Sequence, residues 1–271
     1  MSAPSSTGGR IARFALNAYA GLALLYLFIP IIWIVVFSFN RPKGPYNTVW
    51  QQFTLDNWAD PFGDEALTNA FVESLKIAAI STVVATILGS MIAIALARYK
   101  FRGSGGLNFF LILPLTTPEI VLGSSLATLF LDWDITRGFT TVVLAHVMFQ
   151  VSFVALTVRA RVRGFDWTLE QAAQDLGASP LRTFWKVTFP LILPGILAAA
   201  MLSFALSLDD FIITLFNAGS LVTFPLYING AFARQFPPEV NVLATAILLV
   251  SVALILTGTV WGARGRRRSA S

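Results

Sequence analysis

The chain has 271 residues, of which 56% are hydrophobic and only 12% charged, and its mean hydropathy is +0.72. A soluble domain carries about 25% charged residues, so this composition excludes an ordinary soluble protein and predicts an integral membrane protein. The lack of Cys and the single His exclude a disulfide framework and a thiol nucleophile, and we predict neither a catalytic set nor a metal site. The net charge of +5 does not indicate nucleic-acid binding, because the basic residues flank apolar segments.

Six apolar segments are long enough to cross a bilayer, which takes roughly 20 helical residues. They cover residues 14–39, 77–97, 107–131 and 139–158, a fifth segment that begins near Leu191, and residues 240–263. Most basic residues lie before the first segment, after the second, between the fourth and fifth, and after the sixth. By the positive-inside rule we expect a membrane domain over 14–263 whose tails, 1–13 and 264–271, and loop 159–190 are cytoplasmic.

The third apolar segment contains a predicted break, because Pro114 and Pro118 disfavour a continuous helix. Thr117 fits an N-cap, with Pro118 at the first position of a second helix and Glu119 in its first turn, where the helix dipole favours a carboxylate. Capping does not explain an acid at this depth, and intramembrane carboxylates usually face a polar cavity. Glu119 is therefore a candidate for lining a substrate pathway, with a purely structural role as the alternative.

The fourth apolar segment carries the single histidine, His146. Polar side chains within membrane helices commonly hydrogen-bond to a neighbouring helix. We interpret His146 as such a residue, with a proton relay as the alternative.

The loop between the fourth and fifth segments predicts two short helices. Thr168 fits an N-cap, and Gln171 three residues later fits a capping box. Gly177 suits a left-handed helix end, and Ser179 with Pro180 then begins a second helix. A short capped helix between two membrane spans indicates a docking element for another protein. The alternative is a helix that lies on the lipid surface.

The same loop resembles the motif of ATP-binding-cassette importer permeases, which runs Glu-Ala-Ala, three residues, Gly, nine residues and Ile-x-Leu-Pro. At those spacings this chain has Gln171-Ala172-Ala173, Gly177 and Val187-Thr188-Phe189-Pro190. In the family this helix couples the permease to a cytoplasmic ATPase. The resemblance therefore implies a coupling role for Glu170, Gln171, Ala172, Ala173 and Gly177.

One departure from the motif concerns its acidic residue. Gln171 stands where the motif has Glu, and Glu170 supplies a carboxylate one place earlier. A neutral amide can form hydrogen bonds but cannot form an ion pair. Any salt bridge that the family makes from this position would therefore move to Glu170.

The ATPase is expected to be a separate chain. A phosphate-binding loop of the form G-x-x-x-x-G-K-[ST] needs Gly before its Lys, but the four lysines here follow Pro, Leu, Tyr and Trp. We therefore expect no cofactor in this chain, with ATP and Mg²⁺ bound by the partner ATPase.

The fifth apolar segment carries adjacent carboxylates, Asp209 and Asp210, and such groups are costly within a membrane. In a continuous helix one polar stripe would form from Ser203, Ser207, Asp210, Thr214 and Asn217. This stripe predicts a pathway lining. Asp209, turned by about 100° from Asp210, would face apolar neighbours and meet another helix or a partner. The candidate pathway residues are thus Glu119, Ser207, Asp209 and Asp210; the alternative places the Asp pair in water at the outer end of the span.

Residues 206–211, 223–227 and 113–123 look like the second permease of spermidine/putrescine importers. This resemblance implies an all-α permease with six transmembrane helices and the type I importer fold, in a prokaryotic inner membrane. It also implies three partners: a second, different permease subunit, a cytoplasmic ATPase dimer and an extracytoplasmic substrate-binding protein. Polyamines are extended polycations, which carboxylates and aromatic faces suit. The alternatives are a permease for another small solute and a self-sufficient secondary transporter, which would need no docking helix.

Overall fold

The computed structural model describes residues 7–99, 101–234 and 236–268. Within these ranges the chain is helical and contains no strand, apart from isolated backbone bridges. The helices are, in chain order, α1 (Thr7–Phe37), α2 (Asp56–Ala59), α3 (Glu65–Arg98), α4 (Ser104–Thr116), α5 (Glu119–Asp132), α6 (Phe139–Val162), α7 (Thr168–Asp175), α8 (Pro180–Thr183), α9 (Phe189–Leu208), α10 (Ile212–Asn217), α11 (Phe224–Arg234) and α12 (Pro238–Arg268). A π-helical turn, Phe184–Thr188, connects α8 to α9.

Most of the predicted spans correspond to long apolar helices. The helical stretches that are long and apolar enough to cross a membrane are Arg13–Phe37, Glu65–Arg98, Phe139–Val162 and Pro180–Leu208, which match the first, second, fourth and fifth predicted segments. α4 and α5 qualify only as a pair, and they are bent by 107° at the break between them. The sixth segment corresponds to α12, whose apolar part in the described residues is Pro238–Ala253. The count of six crossings therefore stays a prediction.

The predicted tails are partly helical, because α1 already begins at Thr7 and α12 continues to Arg268. The remaining tail residues, 1–6 and 269–271, lie outside the described residues.

The described residues divide into two compact units. The first takes in the chain up to Glu65 and from Gly230 onward. In this unit an aromatic stack orders the loop after α1: Phe39 stacks on Phe53 and on Trp58, with ring centroids 5.7 and 5.6 Å apart.

The second unit, residues 66–229, contains the candidate functional residues. Its largest apolar contacts join α3, α6 and α9 through Ala85, Ala93, Val154, Val158, Val162, Ile192 and Ala199. Gly89 lies where α3 crosses α6, and a Cβ at this position would come within 2.7 Å of the Val154 side chain. Small residues let membrane helices approach this closely, and van der Waals packing then holds them together.

Two of the predicted spans in this unit are interrupted. α9 ends at Leu208 and α10 begins at Ile212, so the continuous helix on which the stripe of residues 203–217 depends is not formed. The Asp209 N–H still donates to the Ala205 carbonyl at 3.2 Å and closes α9 before the chain departs from helical geometry. The other interruption, between α4 and α5, confirms the break predicted in the third segment.

The capping role predicted for Thr117 is wrong. Its hydroxyl and its N–H donate to the Leu113 carbonyl, at 2.7 and 3.0 Å, so Thr117 closes α4 instead of starting α5. The physical reason is that the last carbonyls of a helix lack partners and attract a nearby donor. Pro118 precedes α5, so its predicted place at the first helical position is wrong; Glu119 is the first residue and lies within the first turn as predicted.

Candidate functional site

The first turn of α7 is capped by Asp166 and not by Thr168. The Asp166 carboxylate accepts the Thr168 hydroxyl at 2.8 Å and the Thr168 backbone N–H at 3.0 Å. Thr168 is the first helical residue, so its predicted N-cap role is wrong. A charged acceptor two residues earlier competes better for the free N–H groups of the helix end. The hydrogen bond from the Thr168 hydroxyl has the larger effect in lowering the pKa of Asp166, and the bond from the Thr168 N–H lowers it further.

The predicted left-handed end of α7 is confirmed at Gly177, whose φ is +85°. The Gly177 N–H donates to the Gln174 carbonyl at 2.8 Å, and the Ala178 N–H reaches back to the Ala173 carbonyl at 3.0 Å. This is the Schellman pattern, which supplies partners for the last carbonyls of a helix. The turn directs the chain from α7 into α8.

The predicted start of α8 is also confirmed. The Ser179 hydroxyl accepts a backbone N–H of the first turn at 3.4 Å, and Pro180 is the first helical residue. α8 continues into α9 through the π-helical turn, in which the Phe189 N–H donates to the Phe184 carbonyl. Pro190 has no N–H and its ring would clash with the carbonyl four residues earlier, which the wider turn accommodates.

One side of α7 and α8 is open. Gln171 and Ala172 are exposed, and Leu176 is 89% exposed. An open groove of about 330 Å³ runs along this side and is lined by Ala173, Leu176, Gly177, Ala178, Arg182, Thr183, Lys186 and Val187. Exposed apolar side chains beside a groove with a polar rim are typical of a protein-interaction surface.

Glu170 points the other way and is only 4% exposed. Its carboxylate pairs with Arg98, at the end of α3, with 2.8 Å between Nη2 and Oε2, and it accepts the hydroxyl of Thr188 in the π-helical turn. The Arg98 guanidinium also lies over the Trp167 ring, 5.5 Å from its centroid. Glu170 therefore ties α7 to the ends of two long apolar helices. Sequence reasoning missed this ion pair, because its partners are 72 positions apart and no local pattern joins them.

Asp210 is also buried, at 9% exposure, and it connects α6 to α10. The His146 ring, which is 1% exposed, places Nε2 3.2 Å from Asp210 Oδ2 and 2.9 Å from Thr214 Oγ1. The same carboxylate oxygen accepts the backbone N–H and the hydroxyl of Thr214, both at 2.8 Å. The interpretation of His146 as a hydrogen-bonding residue between helices is confirmed.

The serines of the predicted polar stripe are buried as well. Ser207 Oγ lies 2.7 Å from His146 Nδ1 and 3.1 Å from Ser81 Oγ on α3. One turn earlier, Ser203 donates to Gln150 Oε1 on α6 at 2.9 Å. The stripe therefore forms a polar contact between α9 and its neighbours α3 and α6.

The four candidate pathway residues fall into two groups. Ser207 and Asp210 are buried, whereas Glu119 and Asp209 are exposed. Each exposed carboxylate lies at a break, since Glu119 is the first residue of α5 and Asp209 directly follows α9. This placement differs from the expectation for a continuous helix, in which Asp210 lies on the polar stripe and Asp209 faces apolar neighbours.

The helices that follow the two breaks, α5 and α10, pack on each other. A Cβ on Gly123 of α5 would lie 3.2 Å from the Ile213 Cα, near the start of α10. Beyond the other end of α5, Arg137 donates to the Phe216 carbonyl at 3.0 Å, near the end of α10. The two helices therefore pack against each other, and an exposed carboxylate lies at the break before each of them.

Residues 85–268 match the family described as "Binding-protein-dependent transport system inner membrane component". The chain belongs to this family. It is 38% identical over 248 residues to the spermidine/putrescine transport system permease protein PotC of Haemophilus influenzae. The aligned region covers 91% of this chain and 96% of that protein. It is also 38% identical over 235 residues to the putrescine transport system permease protein PotI of Escherichia coli K12, covering 84% and 83% of the two chains.

Solved structures share the fold of this permease at low sequence identity. A chain of a bacterial ABC transporter involved in the import of the acidic polysaccharide alginate superposes with a TM-score of 0.68 at 15% identity, covering 95% of this chain and 99% of that one. A chain of the MetNI methionine ABC transporter gives 0.57 at 17% identity, covering 71% and 92%. The expectation of an all-α ABC permease is confirmed, and the chain is a multi-pass inner-membrane protein and a non-catalytic subunit of a transport system.

Proposed function

We propose that this permease forms the membrane pathway for polyamines, spermidine or putrescine, in an ATP-driven importer that works by alternating access. The observation that carries the proposal is the pair of exposed carboxylates, Glu119 and Asp209, at the breaks before two helices that pack on each other. The names of the two relatives at 38% identity refer to the same substrate class.

The charges at the breaks suit a polycation. At an effective dielectric near 20, two unit charges about 4 Å apart attract by roughly 4 kcal/mol before desolvation. Ser207 and Asp210 support the pathway indirectly, because their bonds to His146 hold the break of the fifth span against α6.

The loop 159–190 is proposed to receive the movement of a cytoplasmic ATPase dimer that binds ATP and Mg²⁺. Its open side, from Gln171 through Ala172 and Ala173 to the Gly177 turn, provides the contact surface. A second, different permease subunit and an extracytoplasmic substrate-binding protein complete the importer. With this loop in the cytoplasm, both termini are proposed to be cytoplasmic as well.

Glu170 has a different part in coupling. Its carboxylate faces Arg98 and Thr188 inside the chain, so we propose that it passes movement of α7 to the ends of α3 and α9. The ion pair expected from the family motif would then be made within the permease.

Uptake by the reconstituted importer tests the substrate and its route. The complex is assembled with its ATPase, second permease and binding protein in proteoliposomes, and labelled spermidine and putrescine are supplied outside. We expect Asp209→Asn and Glu119→Gln each to reduce uptake by roughly tenfold, which corresponds to about 1.4 kcal/mol, with unchanged complex yield. The control is Asp132→Asn, an exposed acid at the far end of α5.

Three results would contradict the proposal. Normal uptake by both variants would show that Glu119 and Asp209 do not line the pathway and have structural roles only. Binding and uptake of another solute in preference to polyamines would place the permease in a different substrate class. Uptake that continues without the ATPase would indicate a secondary transporter.

A further inference from the structure

The imidazole of His146 bonds to both sides of the break in the fifth span. Nδ1 faces Ser207 on α9 at 2.7 Å, while Nε2 faces Asp210 in the break at 3.2 Å and Thr214 on α10 at 2.9 Å. The ring is 1% exposed, so water does not compete for these bonds. One side chain of α6 thus joins the end of one helix to the start of the next.

The hydrogen bonds that lead to the ring form one path. Gln150 Nε2 donates to Ser81 Oγ at 3.3 Å, and Ser81 Oγ lies 3.4 Å from the Ala78 carbonyl, to which it donates, and 3.1 Å from Ser207 Oγ. In the tautomer with its proton on Nε2, the His146 ring accepts from Ser207 at Nδ1 and donates to the Asp210 carboxylate. Each donor on this path meets an acceptor, so a neutral imidazole satisfies the whole arrangement.

Asp210 fixes the local backbone at the far end of this path. Its carboxylate accepts the Thr214 N–H at 2.8 Å, which occupies one of the free donors in the first turn of α10. Asp210 bonds to His146 on α6, while the side chain of the preceding Asp209 is exposed.

We infer that His146 is a positioning residue of the substrate pathway: by bonding to Ser207 and Asp210, it holds the break in the geometry that presents the Asp209 carboxylate. His146 itself does not touch substrate. The inference rests on the proposed function, which assigns Asp209 to the pathway.

Two conservative variants separate the two sides of the ring. An asparagine amide replaces Nδ1 but is too short to reach the partners of Nε2, whereas a glutamine amide replaces Nε2. His146→Asn therefore keeps the contact with Ser207 and loses Asp210, and His146→Gln does the reverse. Val142→Ala is the matched control, because Val142 lies one turn earlier on α6, is fully buried and is outside the polar path.

A cysteine at position 209 reports the geometry of the break, because the chain has no cysteine of its own. In the assembled importer, Asp209→Cys is labelled with a cationic methanethiosulfonate reagent, with and without each change at position 146. The importer lacking Asp209→Cys gives the background. The same changes are made with Asp209 intact, and KM and maximal rate of spermidine uptake are measured beside complex yield.

We expect His146→Asn to change the labelling rate several-fold and to raise KM about tenfold, since a hydrogen bond to a charged group is lost. Complex yield and maximal rate should stay within about twofold of the parent importer, as expected for a change confined to the break. His146→Gln should stay near the parent in KM, and Val142→Ala should leave both KM and labelling unchanged.

An unchanged labelling rate together with a normal KM in His146→Asn would overturn the inference. So would an equal loss of yield in His146→Asn and Val142→Ala with KM unaffected, which is the pattern of a merely structural residue. Protection by spermidine tests the proposed function separately. If spermidine never slows labelling of Asp209→Cys, the pathway assignment fails even where His146→Asn alters the rate.

Discussion

Two pairs of adjacent residues each turn one polar side chain inward and the other outward. In the coupling loop Glu170 is buried against a cation while Gln171 is exposed. At the break of the fifth span Asp210 is buried against an imidazole while Asp209 is exposed. In both pairs the inward carboxylate bonds to another helix of this chain, and the outward side chain is exposed.

The inward partners differ, and the difference predicts how each region responds to mutation. Arg98 is charged at any accessible pH, so removing Glu170 leaves a cation without its partner. Breaking a fully buried pair costs about 3–5 kcal/mol, and the one-third exposure of the Arg98 side chain reduces this figure through solvent screening. Asp210 is held by hydrogen bonds from His146 and Thr214, and an asparagine in its place keeps an acceptor oxygen. An alanine in place of Glu170 removes the acceptor altogether, so the larger effect is expected in the coupling loop.

The largest effect is expected from Glu170→Ala. Arg98 and Thr188 lose their shared acceptor, so α7 is no longer tied to α3, and uptake should fall by more than about tenfold. ATP hydrolysis should lose its stimulation by substrate while the ATPase stays bound. Gln171→Glu is the matched control, since this side chain is exposed and the family motif has Glu there. Transport that is indifferent to Glu170→Ala would contradict the proposed role of the ion pair.

The second effect separates Asp210 from Asp209. Asp210→Asn weakens the bond to His146 and both bonds from Thr214, which hold the start of α10. It should raise the KM for uptake, as His146→Asn does, and in addition lower the thermal stability of the complex by about 1.5–3 kcal/mol. Asp209→Asn should leave yield intact and reduce uptake, because its side chain is exposed. Size-exclusion yield and thermal unfolding are measured beside uptake. The opposite pattern would favour the continuous polar stripe that the sequence spacing predicts.

A smaller effect is expected from Gly177→Val. The φ of +85° places Gly177 in the left-handed region, which costs a residue with a Cβ about 1–2 kcal/mol. The change should shift the start of α8 and weaken ATPase binding in co-purification. Gly177→Asn should be better tolerated, since asparagine visits this conformation more readily. Equal ATPase binding and substrate-stimulated hydrolysis in Gly177→Val would refute the docking assignment.

The smallest effect concerns the cap of α7. Asp166→Ala should fray the first turn, seen as faster amide exchange of Leu169, whereas Asp166→Asn keeps a capping oxygen and should change exchange little. The pKa of Asp166 is lowered in the folded chain, so the cap acts fully above the ordinary value near 4 and is lost as the pH falls through the folded-state pKa. Exchange that is equally slow in Asp166→Ala would show that the cap is dispensable.

Features that depend on one or two turns of chain could be predicted from the sequence. The left-handed Gly177, the Ser179 cap and the break before Glu119 follow from side-chain chemistry within a few residues. Asp166 and Thr168, two positions apart, are both residue types that cap helices. The sequence does not show which of them caps α7, because the Thr168 hydroxyl itself donates to the Asp166 carboxylate.

Features that depend on packing could not be predicted in this way. The partners Glu170 and Arg98 are 72 positions apart, and His146 and Asp210 are 64 apart. Helical spacing correctly grouped Ser203, Ser207 and Asp210 on one side, but it could not tell a pathway from a helix contact. That distinction depends on which helix covers the stripe, and α3 and α6 do so.

The π-helical turn sets the rotational phase of the long helix that follows it. A single inserted residue rotates all later side chains by about 100° around the helix axis. With this rotation Ser203 and Ser207 face α6, although they lie several turns beyond the insertion. The helical stretch Pro180–Leu208 has 29 residues and spans roughly 43 Å at 1.5 Å per residue. The Thr188 contact of Glu170 and the Asp209 break therefore lie along one helical stretch, so a rotation of that stretch would move both.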